Sequence, residues 1–162
     1  MNAGNWQSKP VKTILAPIDF SSITELVINQ ARTLARAFDG RVVLLHVMQP
    51  PVITSEYSPF IENIAEIVTV GEKAAAKQLA QLQERLMAEG IATETLQFTG
   101  APVGNILTQA AKLAADYIVM GSHGHKAVYD LIVGSTTHGV LLRATCPVII
   151  VPAQKPKAPA AK

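Results

Sequence analysis

Five short apolar runs, each separated from the next by a stretch of helical periodicity, constrain this chain more than any other feature. The runs are Thr13–Ile18, Arg41–Met48, Ala92–Thr99, Tyr117–Met120 and Val148–Val151. The second is rich in β-branched residues and stops at Pro50-Pro51. The third alternates polar with apolar residues, and the last lies between two prolines. Runs this short and this apolar suit strands buried on both faces, as in a parallel sheet. Between them, Val27, Ala31, Leu34 and Phe38 recur at helical spacing before Gly40. Ala75, Leu79, Leu82 and Leu86 do so before Gly90, and Val103, Leu107, Ala110 and Ala114 before Asp116. A fourth helix is predicted from about Ser135 to Ala144. Strict alternation of strand and helix predicts a three-layer α/β domain with right-handed crossovers.

The body of this domain is predicted to run from Val11 to Pro152, without an internal linker or repeat. Residues 1–10 are polar apart from Trp6 and read as a flexible N-terminus. Residues 153–162, rich in Pro, Ala and Lys, read as a disordered tail. One stretch departs from the simple strand–helix unit. Gln49–Val70 is a long excursion with two adjacent prolines, Tyr57, Pro59, Phe60 and a short helix expected near Phe60–Val68. Connections of that length are usually functional or mobile, and this one is expected to cover part of a ligand crevice.

Composition excludes several classes. With 162 residues, 49% hydrophobic and 16% charged, the chain forms a core and is not disordered as a whole. No run approaches the ~20 apolar residues of a membrane span, and no secretory signal is visible at the N-terminus. A single cysteine, Cys146, permits no intrachain disulfide and no CxxC metal site, so a cytoplasmic location is expected. The net charge of +2 comes from Lys155, Lys157 and Lys162 at the C-terminal end. Without them 11 basic residues face 12 acidic ones, which is not the footprint of a nucleic-acid binder.

The most informative stretch is Met120–Gly139. It holds Gly121, Gly124, and Gly134 followed by Ser135, spaced G-x2-G-x9-G-S. The first glycine follows a predicted strand, and the last precedes a predicted helix. Glycine lets backbone N–H groups approach a ligand closely. A helix start offers unpaired N–H groups and a positive dipole end, and Ser135, Thr136 and Thr137 add hydroxyls. These groups would make a phosphate cradle. The competing reading is turn punctuation, with Ser135 only an N-cap; on spacing alone the two stand level. GxxxxGK[ST] and GxGxxG are both absent, so neither a standard P-loop nor an ordinary dinucleotide fold is indicated.

Met120-Gly-Ser-His-Gly together with Cys146-Pro-Val-Ile-Ile-Val151 resembles the universal stress protein family. Ile14-Leu-Ala-Pro-Ile-Asp-Phe-Ser21 resembles its first strand and Asp-x-Ser turn, Leu44-Leu-His-Val47 its second strand, and Gly100-Ala-Pro102 the turn before its third helix. The resemblance spans roughly Val11–Pro152. It implies an adenine nucleotide alpha-hydrolase-like fold: a five-stranded parallel sheet in the order 3-2-1-4-5, with a ligand crevice between strands one and four. The glycine signature marks the family's ATP-binding branch. By the same resemblance, Asp19 and the backbone around Pro17, Ile18 and Val47 hold the adenosine. Met120, Gly121, His123 and Gly124 follow the ribose and phosphates, and Gly134, Ser135, Thr136 and Thr137 hold the β- and γ-phosphates.

The remaining candidates take blander readings. His123 and His125 flank Gly124, but alternate loop residues without a carboxylate cluster make a poor zinc site. His46 reads as a satisfied histidine of the core or sheet end. Asp19 has an N-cap or Asx-turn role as its alternative. Asp130 and Lys126 read as surface residues, and Cys146 as a small core residue. The expected protein is a cytosolic ATP-binding regulator, also able to take ADP or AMP, with Mg²⁺ held by phosphates and water. It hydrolyses ATP slowly or not at all, because no general base, arginine finger or paired metal carboxylates are evident. It forms a homodimer through Val148–Val151 and has a further protein partner of unknown identity. The alternatives are an ATP-using enzyme of the related pyrophosphatase or nucleotidyl transferase folds, and a ligand-free interaction module.

Overall fold

The computed structural model describes residues 11–49, 64–122 and 133–153. The elements run β1 (Thr13–Pro17), α1 (Thr24–Phe38), β2 (Arg41–Met48), α2 (Ile64–Ala88), β3 (Thr93–Thr99), α3 (Pro102–Lys112), β4 (Tyr117–Gly121), α4 (Ser135–Leu141) and β5 (Val148–Val151). The five strands form one sheet in the order β3-β2-β1-β4-β5, and every pairing is parallel.

The apolar runs are two-faced because side chains alternate along a strand. Ile14, Ala16, Val42, Leu44 and Val119 pack on one face with Val27, Ile28 and Ala31 of α1 and Leu79 and Leu86 of α2. Leu15, Val43, Leu45, Ile118 and Met120 pack on the other with Ile106 and Ala110 of α3 and Val140 of α4. Each wholly buried aliphatic side chain contributes about 1.5–3 kcal/mol, so the three central strands carry most of the core. Gly40 fits a tight handover from α1 to β2: a Cβ there would lie 2.6 Å from the Lys12 carbonyl oxygen and 2.9 Å from Ile14 Cδ1.

The sequence reading needs one correction in the second crossover. Residues 64–70, assigned to the excursion, belong to α2, which continues through Gly71 to Ala88 as a single helix. The short helix expected near Phe60–Val68 is therefore not separate where it is described. An internal glycine costs a helix only about 1 kcal/mol, and here the missing side chain makes room for Met48, whose Sδ would lie 3.2 Å from a Cβ at position 71. Residues 50–63 of the excursion, like residues 1–10 and 154–162, lie outside the described residues. Ala153, assigned to the tail, is anchored: its N–H donates to Ser122 Oγ at 3.1 Å, and it packs against the first core face. No helix among the described residues is long and apolar enough to cross a membrane.

At the amino end of the sheet, Asp116 clips β4 to β1. Its carboxylate accepts from Lys12 Nζ at 2.6 Å and from the Thr13 N–H at 2.8 Å, while its own N–H donates to the Thr13 carbonyl at 2.9 Å. The Lys12 hydrogen bond, followed by that of Thr13, holds the Asp116 carboxyl below its usual range. Asp116→Ala is expected to lower the urea midpoint at neutral pH, because it removes both hydrogen bonds that the carboxylate accepts. A carboxyl with a depressed folded pKa stabilises above its unfolded value of about 3.9 and loses that effect as pH falls through the folded one. The difference between the variant and wild type is therefore expected to shrink as pH drops below about 4.

Candidate functional site

The connections after β1 and β4 leave in opposite directions, and a cavity of about 600 Å³ opens at the carboxyl ends of these strands. The backbone explains the opening. The Lys12 carbonyl and the Ile18 N–H point to β2, whereas the Thr13 carbonyl points to β4. Alternation then aims the nitrogen of Pro17 at β4, and proline has no N–H to give. The β1–β4 pairing covers Ile14–Leu15 against Tyr117–Ile118, whereas the β1–β2 register runs on to Pro17.

Ten of the twelve residues singled out from the sequence line this cavity: Pro17, Ile18, Asp19, Val47, Met120, Gly121, Gly134, Ser135, Thr136 and Thr137. The other two, His123 and Gly124, lie outside the described residues, as do His125, Lys126 and Asp130. The motif's two ends meet: the Gly134 N–H donates to the Ser122 carbonyl at 2.7 Å, and the Ser122 N–H to the Val151 carbonyl at 2.8 Å. Gly134 is the N-cap of α4 in extended conformation, so Ser135 is the first helical residue rather than the cap. The helix has only 7 residues, which limits what its dipole adds; the hydroxyls and the cavity walls define the site.

Two residues carry duties that spacing did not reveal. Thr137, 3% exposed, donates its hydroxyl to the Gly121 carbonyl at 2.8 Å. Its hydroxyl proton thus ties α4 to β4, leaving the exposed Ser135 and half-buried Thr136 to offer theirs outward. Asp19 makes an Asx turn: its Oδ1 accepts from the Ser21 N–H at 3.1 Å, while the N-cap of α1 is Ile23 without a side-chain bond. Asp19 thus both shapes the turn and lines the cavity.

Sequence reasoning missed His46, Thr24 and Ile106 as lining residues. His46 extends the face of Val42 and Leu44, and Ile106 lies on the opposite face, so the crevice straddles the sheet edge. Only the sheet order could have brought them together. Among the described residues, no group of three or more His, Cys, Asp or Glu could hold a metal ion. Cys146 packs against the second core face, and burial pushes its thiol pKa up, which suits a packing residue.

A parallel sheet with a crevice at its topological switch point defines a doubly wound α/β domain. The model of the universal stress protein family matches residues 10–152, and the chain belongs to that family. It is 31% identical over 146 residues to universal stress protein YxiE of Bacillus subtilis, covering 85% of this chain and 97% of that one. The solved structure of hypothetical protein MJ0577 superimposes with a TM-score of 0.76 at 26% identity, covering 90% and 98% of the two chains. The fold is also shared with a universal stress protein in complex with cAMP (TM-score 0.62, 21% identity, 88% and 97% covered) and one from Archaeoglobus fulgidus in complex with dAMP (TM-score 0.58, 23% identity, 86% and 96% covered).

Thr137→Val would leave the Gly121 carbonyl without its partner. It is expected to destabilise the protein by about 1–3 kcal/mol, and Thr137→Ser by much less. Chemical denaturation of the two variants side by side checks this.

Proposed function

We propose that this universal stress protein binds ATP in the β1–β4 crevice and acts as a nucleotide-dependent regulator rather than a rapid enzyme. The observation carrying this reading is that ten of the twelve residues singled out from the sequence line one cavity. Its volume of about 600 Å³ suits a small-molecule site. The residues fit an adenine nucleotide. Ile18, Val47, Met120 and Ile106 supply apolar walls for a base, Asp19 a carboxylate for ribose hydroxyls, and Ser135 and Thr136 hydroxyls for phosphates. Two chains of this fold were solved with adenine nucleotides, which supports the same ligand class here. His123 and Gly124 complete the proposed phosphate path, and Mg²⁺ would ride on the phosphates. The turn Asp19-Phe-Ser-Ser-Ile-Thr24 holds no glycine, which argues against a phosphate loop after the first strand and so against a pyrophosphatase or transferase.

The protein works as a cytosolic homodimer in this proposal. β5 is an edge strand, half-buried at all four positions, and such an edge tends to pair with another chain. Leu141 and Leu142, 43% and 72% exposed, precede it. Antiparallel pairing with its own copy closes a two-fold dimer. Light scattering is expected to give twice the 17.3 kDa of one chain; a single-chain mass contradicts the dimer.

Gly134→Asp tests the crevice. The extended backbone at Gly134 accepts any residue, and Asp is a favoured N-cap, so the variant is expected to fold. Its carboxylate would repel phosphate. Calorimetry is expected to show ATP binding weakened by about tenfold or more; unchanged affinity in the folded variant contradicts the assignment. Mass spectrometry of molecules released from denatured protein is expected to find ATP, ADP or AMP.

A further inference from the structure

The Asp19–Ser21 turn carries an unusual backbone. Phe20 has φ 59°, a left-handed conformation that costs a bulky residue roughly 1–2 kcal/mol. Strain of this kind persists only where the surroundings over-determine it, and it gathers at ligand sites. Hydrogen bonds among the described residues hold the turn. The Ile18 N–H donates to the Leu45 carbonyl at 2.8 Å, the Ser21 N–H donates to Asp19 Oδ1 at 3.1 Å, and His46 Nδ1 lies 2.9 Å from the Ile18 carbonyl oxygen. The His46 ring also packs against the Phe20 ring, with centroids 4.6 Å apart and planes tilted by 39°.

A carbonyl only accepts. The 2.9 Å contact therefore requires the proton on Nδ1 of His46. Strand alternation puts His46 beneath the turn, on the face of Val42 and Leu44. The side chain thus fixes the carbonyl immediately before Asp19 and, through its ring, the strained residue immediately after it.

We propose that His46 is the positioning residue of the crevice: through Nδ1–H to the Ile18 carbonyl and its ring against Phe20, it locks the strained turn that presents Asp19 to the nucleotide. This rests on the nucleotide reading above. His46 acts through the turn and need not touch the ligand. A leucine at this position would fill the space without the bond. An asparagine, whose amide nitrogen falls where Nδ1 sits, would restore the bond without the ring.

The test has two readouts. Long-range ¹H–¹⁵N NMR of the wild-type chain without ligand reports the tautomer, and the Nδ1–H form is expected; the Nε2–H form at neutral pH overturns the proposal. Calorimetry with Mg-ATP then compares wild type, His46→Leu and His46→Asn. His46→Leu is expected to bind about tenfold more weakly, with His46→Asn recovering most of the loss. Equal binding by all three proteins, or an equal loss in both variants, overturns the role of the bond. If His46→Leu fails to fold, the tautomer and the affinity of His46→Asn, expected within a few-fold of wild type, decide. If the wild-type chain binds no ATP, the nucleotide reading falls, and the tautomer alone decides whether His46 clamps the turn.

Discussion

The structure depends on a parallel pairing that stops early. β1 and β4 are joined at their amino ends by Ile14–Leu15 against Tyr117–Ile118 and by the Asp116 clip. Towards their carboxyl ends the ladder gives way, because Pro17 has no N–H to offer β4. The two crossovers then carry α1 to one face of the sheet and α4 to the other. The space left at the edge is the crevice, and its walls come from both faces: Ile23 and Val27 from one, Ile106 and Thr137 from the other. The sheet is well packed below this seam, and the crevice above it is held by the rigid strands β1, β2 and β4.

The described segments bordering the crevice are anchored more than once. The Asp19 turn is held by β2 through Leu45 and His46. The glycine stretch is closed at its base by Gly134 against Ser122, and Thr137 ties the following helix to Gly121. This arrangement suits a protein that presents a fixed cradle to a nucleotide.

Much of the fold was legible because the strands are buried on both faces. Arg41–Met48 and Val148–Val151 end where the apolar runs end. The strand order was not legible in periodicity, since a crossover carries no sign of which neighbour it will reach; it entered through resemblance and the sheet bears it out. The length of α2 escaped because Gly71 and the β-branched residues before it mimic a break, whereas Met48 packing on the glycine lets the helix run through. In the site, glycines and hydroxyls were visible as a motif, but how the hydroxyls divide was not. Thr137 bonds inward to Gly121 and Ser135 faces out, a distinction set by helix phase. His46 read as a core histidine, and it does have a partner. What the sequence could not display is that the partner, Ile18, sits on the rim of the crevice.

The central claim is that one nucleotide site spans the carboxyl ends of β1 and β4. Backbone NMR of the full chain titrated with Mg-ATP measures this most directly. The account predicts saturable shift changes at Ile18, Asp19 and Val47 on one side and at Gly121, Ser135 and Thr136 on the other, all following a single binding curve. Changes confined to one side, changes elsewhere on the surface, or none at saturating ATP would contradict it.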